Sequence, residues 1–564
     1  MSQEERRSRR TTPSGRTAVS RMKAFTLLII AALALLASSC ASAEDNANVS
    51  SPTVTDALPQ SSSMNANTSA GTVAYGNYDS DAKEESGAGE RYARIDENPF
   101  LEASRAPLST FSIDVDTASY SNTRRFLNEG QLPPRDAVRI EELVNYFSYD
   151  YPQPSGDAPF SVKAEVAECP WNTQHRLVQV GLQGKRVSTE EMPPANLVFL
   201  VDVSGSMNDP HKLPLVKSGL RTLAEQLSSR DRVAIVTYAG ASGLALPSTP
   251  GDQKGEIISA LGRLEAGGST NGSSGIRLAY EVAEQNFIRG GTNRVILATD
   301  GDFNVGVTGD EELVKLIEEK RRGGVFLSVL GFGAGNLNDS MMEKLADKGN
   351  GNYAYIDSES EARKALGEQA GGTLLTIAKD VKIQVEFNPR LVAGYRLIGY
   401  ENRLLEARDF NDDRKDAGEI GAGHTVTALY EIVPAGQAVE NPGVDELKYA
   451  QAPEEPRGTG EGELMTVKLR YKEPDGDVSK PLNVGIQDAR TSYGNASADF
   501  KFAAAVAEFG MLLRGSRYKG QASYDSAAQL ARASVGADLQ GHRTEFVKLV
   551  ESARSLSEHA SVRP

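Results

Sequence analysis

Residues 196–207 read Asn196-Leu-Val-Phe-Leu-Val-Asp202-Val-Ser204-Gly-Ser206-Met, an apolar run that ends in a carboxylate and two hydroxyls at alternate positions. An unbroken apolar series flanked by polar sequence predicts a β-strand that is buried on both faces. Asp202 then lies at the carboxyl end of that strand, which is the edge where open α/β sheets bind ligands. Carboxylate and hydroxyl oxygens favour a hard cation such as Mg²⁺.

The sequence that follows alternates apolar runs with helical patterns. Apolar runs recur at residues 233–238, 295–298, 325–330 and 353–356, and amphipathic stretches separate them. Alternation of this kind predicts a parallel sheet that is covered by helices on both faces. We therefore predict a fold of the α/β class, a doubly wound parallel sheet, over residues 193–368.

Two further polar groups fall at the same predicted edge. A Gly-rich loop that contains Thr270 precedes a helix, and Asp300 directly follows a second buried strand. Because parallel strands end at one edge of a sheet, three loops can bring five oxygen donors together there: Asp202, Ser204, Ser206, Thr270 and Asp300. A small octahedral cation requires such a set of oxygen ligands.

The pattern Asp-x-Ser-x-Ser, then Thr, then Thr-Asp-Gly, resembles the metal-ion-dependent adhesion site (MIDAS) of von Willebrand factor type A domains. The resemblance implies that Ser204, Ser206 and Thr270 coordinate the ion through their hydroxyl oxygens. It implies that Asp202 and Asp300 act largely through bound water, which keeps the charge on the ion high and leaves one position open. An Asp or Glu of a protein partner would fill that position. The implied cofactor is Mg²⁺, with Mn²⁺ and Ca²⁺ as alternatives.

The amino terminus has the pattern of an exported protein. Basic residues precede a short apolar run, which is typical of a signal peptide over residues 1–39. The small residues before Cys40 resemble a bacterial lipobox, which implies cleavage before Cys40 and lipidation of its thiol. The alternative is an ordinary signal peptide with an incidental cysteine. Residues 40–96 are rich in small and polar residues, which predicts a disordered linker. The lipidation that the lipobox resemblance implies at Cys40 would anchor this linker. The predicted location is the cell envelope, with the lipid in the membrane at the periplasmic face or in the outer membrane.

The segments on either side of the predicted doubly wound domain follow other patterns. Residues 97–190 predict a small α/β segment, in which Asp114-Val-Asp116 predicts a strand end followed by a helix cap. Alternating residues over 373–490 predict antiparallel strands in a β-sandwich-like segment. Residues 491–556 carry apolar side chains at helical spacing and predict a helical tail.

Composition and charge argue against several classes of function. The 564 residues carry a formal net charge of −15, whereas a nucleic-acid partner favours a basic face. The five histidines are scattered, and the two cysteines, Cys40 and Cys169, lie far apart, so the ligand spacing of a zinc site is missing. The Gly-rich loop lacks the lysine of a phosphate-binding loop, which argues against a nucleotide ligand.

The order of the segments resembles that of bacterial type A lipoproteins of the YfbK kind. The resemblance rests on the stretches Asn98-Pro-Phe, Phe111-Ser-Ile-Asp-Val-Asp-Thr-Ala-Ser-Tyr and Thr299-Asp-Gly-Asp-Phe-Asn-Val-Gly. It implies the domain layout and no defined activity. We predict a non-enzymatic envelope protein that binds a protein partner through a divalent cation. The alternatives are a structural protein whose metal stabilises the fold and a metal-dependent hydrolase, for which the sequence offers no nucleophile with a nearby base.

Overall fold

The computed structural model describes residues 89–188, 190–269, 272–301, 310–415, 417–439, 462–474 and 476–562. All of these residues belong to one compact unit. The predictions for the signal peptide, Cys40 and Thr270 therefore fall outside the described residues. The linker was predicted to end at residue 96, but Glu90 and Tyr92 are already buried at 3% and 2% exposure, so the folded body begins earlier. None of the described helices combines the length with the apolar character that crossing a bilayer requires.

Sixteen strands and twelve α-helices form within the described residues. The strands are β1 (Leu101–Glu102), β2 (Leu108–Ser112), β3 (Phe160–Glu168), β4 (Arg176–Gly184), β5 (Ala195–Asp202), β6 (Arg232–Tyr238), β7 (Ser242–Pro250), β8 (Thr292–Thr299), β9 (Phe326–Phe332), β10 (Tyr353–Ile356), β11 (Thr376–Phe387), β12 (Val392–Ile398), β13 (Ile420–Gly421), β14 (Thr425–Pro434), β15 (Glu463–Lys472) and β16 (Lys480–Gln487). The helices are α1 (Ala118–Asn128), α2 (Ile140–Asn145), α3 (Leu213–Gln226), α4 (Lys254–Gly262), α5 (Gly272–Gln285), α6 (Asp310–Arg322), α7 (Asp339–Lys348), α8 (Glu359–Arg363), α9 (Ala370–Leu374), α10 (Ala498–Arg514), α11 (Tyr524–Ala533) and α12 (His542–Val562).

The strands β5 to β10 form one sheet in the spatial order β10-β9-β8-β5-β6-β7. Its strands run parallel to their neighbours except β7, which is antiparallel to β6. Successive apolar residues of β5 point to opposite faces: Phe199 packs in the core beneath α3, α4 and α8, and Leu200 packs in the core beneath α5, α6 and α7. This arrangement confirms the predicted doubly wound parallel sheet of the α/β class. The strand β7 was not predicted, and its prolines Pro247 and Pro250 are tolerated because it lies at the sheet edge.

Two antiparallel sheets form a sandwich next to this domain. The first has the order β1-β12-β14-β4-β3, and the second has the order β13-β11-β15-β16 with β2 paired to β11. Apolar side chains from both sheets share one buried core, in which the rings of Phe160 and Tyr471 lie 4.9 Å apart. The sequence treated residues 97–190 and 373–490 as separate segments, but their strands belong to shared sheets. The strands β12 and β16 were also not predicted.

Helices from both ends of the described chain cover the outer face of the first sandwich sheet. The ring of Phe147, which follows α2, lies 4.8 Å from that of Phe502 in α10 and 5.6 Å from that of Phe546 in α12. Leu177 and Leu429 of the sheet belong to the same buried core. The predicted helical tail is therefore an integral layer of the folded body.

A buried arginine joins the doubly wound domain to the sandwich. The guanidinium of Arg403 lies 3.2 Å from Asp114, 3.3 Å from Asp116 and 2.9 Å from Glu343 of α7, and it also contacts Asp347 of α7. Asp116 accepts a further hydrogen bond from the backbone N–H of Tyr353, at 2.8 Å. The predicted helix cap at this position is wrong, because no side chain caps α1 and the carboxylates pair with Arg403 instead.

Candidate metal centre

Two buried aspartates lie side by side at the carboxyl edge of the central sheet. Asp202 is the last residue of β5, and Asp300 directly follows β8. The two strands are parallel neighbours, and their pairing ends with Val201 opposite Ala298. Both aspartates are 0% exposed. The register of the two strands therefore brings these carboxyl groups together, as the sequence predicted.

The loop after Asp202 folds back so that its hydroxyl groups join the two carboxyl groups. The backbone N–H of Ser204 donates to Asp202 Oδ1 at 2.8 Å, and the hydroxyls of Ser204 and Ser206 lie 3.0 Å apart. The hydroxyl of Ser206 is also hydrogen-bonded to Asp300. Ser204 is buried and Ser206 is exposed, so the centre opens to solvent on the Ser206 side.

The Gly-rich loop lies directly against this serine loop. Gly205 N–H donates to the carbonyl of Gly268 at 3.0 Å, and Gly267 N–H donates to the carbonyl of Val203 at 2.7 Å. Gly268 has a φ of +87°, a conformation that glycine adopts without strain. The structure thus brings four of the five predicted donors together, and the fifth, Thr270, lies outside the described residues.

The sequence reasoning missed a charged residue at this centre, Lys212. Its Nζ lies 2.9 Å from Asp300 Oδ2 and 3.4 Å from Asn336 Oδ1. Lys212 is the N-cap residue of α3, a position that the helix dipole makes unfavourable for a cation. This unfavourable position is the feature of the sequence that could have revealed the role of Lys212, because a lysine at a helix N-terminus needs an anionic partner.

Burial acts differently on the two carboxyl groups. It raises the pKa of Asp202, and the charge of Asp300 adds to the rise, although hydrogen bonds from Ser204 oppose it. Burial also acts to raise the pKa of Asp300, but hydrogen bonds from Lys212 and Ser206 outweigh it and hold that pKa below its ordinary value. A cation bound beside both groups would favour their ionised forms and would lower the pKa of Asp202.

The donor set fits a hard cation such as Mg²⁺. All four described donors are oxygens, two from carboxylates and two from hydroxyls, which are the ligands that Mg²⁺ prefers. Across the described part of the chain, no group of three or more His, Cys, Asp or Glu is arranged to hold a metal ion. A cation held at this edge would therefore depend on the serine hydroxyls to complete its ligand set.

The side chain of Tyr238 contacts the centre from within the protein. It is 0% exposed and is hydrogen-bonded to the carboxyl group of Asp202. Gly275 of α5 packs directly on the tyrosine, since a Cβ added at Gly275 would lie 2.7 Å from the Cβ of Tyr238. The close approach of helix and strand at this point therefore requires a residue without a side chain.

Gly275→Ala is expected to lower the free energy of unfolding by about 1–3 kcal/mol, because the added methyl group overpacks the contact with Tyr238. Urea unfolding followed by circular dichroism measures the change. Gly262→Ala in α4 is the matched control, since a Cβ there meets nothing within 4 Å. The control is expected to be neutral or stabilising by up to about 1 kcal/mol. Equal responses of the two variants would show that the packing on Tyr238 is not tight.

The doubly wound sheet with an oxygen-lined edge defines this chain as a von Willebrand factor type A protein. The family model described as von Willebrand factor type A domain matches residues 196–369, and one described as von Willebrand factor matches residues 86–179. The model described as Uncharacterized protein YfbK, C-terminal, matches residues 372–556. The chain belongs to the YfbK family: it is 45% identical to Uncharacterized protein YfbK of Escherichia coli (strain K12) over 475 residues, covering 83% of this chain and 82% of that protein.

More distant relatives share smaller parts of the chain. Human inter-alpha-trypsin inhibitor heavy chain H3 is 29% identical over 262 residues, which cover 42% of this chain and 28% of that protein. Among solved structures, a von Willebrand factor type A protein from Catenulispora acidiphila aligns with a TM-score of 0.40 and 16% identity, covering 67% of this chain and 88% of that one. Type A domains often serve as metal-dependent protein-interaction modules and are generally not enzymes.

Proposed function

We propose that this protein is a cell-envelope lipoprotein that binds a protein partner through Mg²⁺ held at the candidate metal centre. The observation that carries the proposal is the convergence of two fully buried carboxyl groups, Asp202 and Asp300, with the hydroxyls of Ser204 and Ser206. Buried carboxylates need a compensating charge, and Lys212 provides only one. A bound divalent cation would supply the rest and would leave the exposed Ser206 side open to an Asp or Glu of the partner.

The first described residues of the chain lie beside this centre. Glu90 Oε1 accepts a hydrogen bond from Gly335 N–H at 2.9 Å, and Arg91 N–H donates to the carbonyl of Leu337 at 3.0 Å. These contacts lie in the loop between β9 and α7, which also holds Asn336 next to Lys212. The amino-terminal end of the described chain therefore lies at the edge that carries the centre.

Binding of a partner fits the centre better than catalysis does. A hydrolase would pair a nucleophile with a general base within hydrogen-bond reach. Among the described residues at this centre, the serine hydroxyls bond to each other and to the aspartates, and no histidine lies in their hydrogen-bond network. These contacts make the donors better suited to holding an ion than to general acid–base catalysis.

Asp202→Ala is expected to weaken Mg²⁺ binding by about 10–100-fold, the usual effect of losing a group that orients a metal ion through its outer shell. Isothermal titration calorimetry of the purified protein measures this affinity. Asp209→Ala is the matched control, since Asp209 is an exposed aspartate in the same stretch of chain whose carboxylate accepts from the backbone N–H of His211. The proposal fails if the wild-type protein binds neither Mg²⁺ nor Mn²⁺, or if the two variants bind Mg²⁺ equally well.

A further inference from the structure

Lys212 is built into the candidate metal centre rather than exposed to solvent. The residue is 8% exposed. The backbone of Gly333, at a φ of +74°, leaves room for its stem: a Cβ added there would lie 2.2 Å from Lys212 Cε and 2.6 Å from Cγ. The groove under the lysine therefore requires glycine at position 333. Packing of this kind fixes the ammonium group in one place against Asp300 Oδ2 and Asn336 Oδ1.

The charge of the lysine affects the binding of two ligands, the metal ion and a carboxylate, in opposite directions. Asp202 and Asp300 together contribute two negative charges, and Lys212 leaves a net charge of −1. A divalent cation then brings the loaded centre to +1, which attracts a carboxylate. Without the lysine the empty centre would hold −2, which attracts the cation more strongly, but the loaded centre would be neutral and would attract a carboxylate less.

We propose that Lys212 is a positioning residue that lowers the affinity of the centre for the metal ion and raises the affinity of the loaded centre for a partner's carboxylate. This role rests on the proposed function. The lysine acts through Asp300, whose Oδ2 it contacts, while the exposed Ser206 is hydrogen-bonded to the same aspartate. A lysine with only a structural role would stabilise the loop without changing the affinities for the metal ion and for the carboxylate in opposite directions.

The test compares Lys212→Met with the wild-type protein in two titrations. Calorimetry gives the affinity for Mg²⁺ alone, and electron paramagnetic resonance of Mn²⁺-loaded protein gives the affinity for acetate as the carboxylate probe. Lys212→Met is expected to bind Mg²⁺ about tenfold more tightly and acetate about tenfold more weakly, the scale of one unit charge in a partly buried site. Arg221→Met is the control, since Arg221 is a 59% exposed cation of the same helix that pairs with Glu225.

Two further variants separate charge from packing. Lys212→Gln removes the charge but keeps a donor for Asp300, and it is expected to follow Lys212→Met even where the methionine variant folds poorly. Lys212→Arg keeps the charge and is expected to retain acetate binding within about threefold, or about 0.6 kcal/mol. If Lys212→Gln and Lys212→Met weaken both ligands or change neither, the proposed role of the lysine is wrong while the metal centre stands. If the wild-type protein binds no divalent cation, the proposed function falls and this role falls with it.

Discussion

Residues 372–562 produced alone are expected to show no cooperative unfolding transition, although one family model matches residues 372–556 as a unit. The reason is the shared sheets of the sandwich. The strand β11 pairs with β2 through five residues, from Lys382 opposite Ser112 to Glu386 opposite Leu108, and β14 lies between β12 and β4. Without the amino-terminal strands, β11 and β14 would each expose an unpaired edge, and the sandwich would lose nine of the 29 buried residues of its core.

Thermal melting followed by circular dichroism tests this expectation, with two controls from the same chain. Residues 190–375 contain all six strands of the central sheet and are expected to melt cooperatively alone. Production of residues 89–188 together with residues 372–562 is expected to restore a cooperative transition, because it returns the missing strands and α2. A sharp transition of residues 372–562 alone would show that the carboxyl-terminal half of the sandwich folds without its partner strands.

Arg403→Met is expected to lower the free energy of unfolding by about 3–5 kcal/mol, the usual effect of removing one partner from a buried ion-pair network. The arginine side chain is 10% exposed and contacts four carboxyl groups, of which Asp116 is 1% exposed. Methionine would remove the cation from Asp114, Asp116 and Asp347 at the joint between the sandwich and α7. Glu343 would keep its ion pair with Arg139. Urea unfolding measures the loss.

Arg408→Met is the matched control, since Arg408 is 81% exposed and pairs with Glu406 at the surface. An exposed pair of this kind contributes little, so a change within about 0.5 kcal/mol is expected. Equal effects of the two variants would show that the Arg403 contacts do not stabilise the joint.

The pH dependence of the Arg403→Met effect has a defined sign. Burial and the charge of Asp114 raise the pKa of Asp116, and the guanidinium of Arg403 opposes that rise. Without the guanidinium the pKa in the folded state rises further above its unfolded value, so proton uptake stabilises the folded variant as the pH falls. The loss caused by the substitution should therefore shrink as the pH falls, over a range that lies above the ordinary pKa of aspartate, about 3.9.

Local patterns were sufficient where an element and its neighbours lie close together in the chain. The apolar run before Asp202 and the one before Asp300 predicted two buried strands, and both strands formed with their aspartates at one edge. The parallel arrangement follows because helices lie between successive parallel strands along the chain. Strands with weaker signals, such as the proline-containing β7, were missed because their edge position relaxes the residue pattern.

The sequence alone was enough to predict the doubly wound domain and the donors at its edge, because both depend on contiguous chain and on the direction in which strands end. The three-dimensional fold was needed to show that distant segments share one sandwich and that Lys212 contacts Asp300. It was also needed to show that Arg403 contacts carboxylates of two separate segments, the one before α1 and α7. These features depend on pairing across hundreds of residues or on the direction of one side chain. Such contacts are selected by the burial and charge of the whole assembly, and a local pattern points at most to one of the two partners. The candidate metal centre therefore combines donors that the sequence displays with a counter-charge that only packing brings to them.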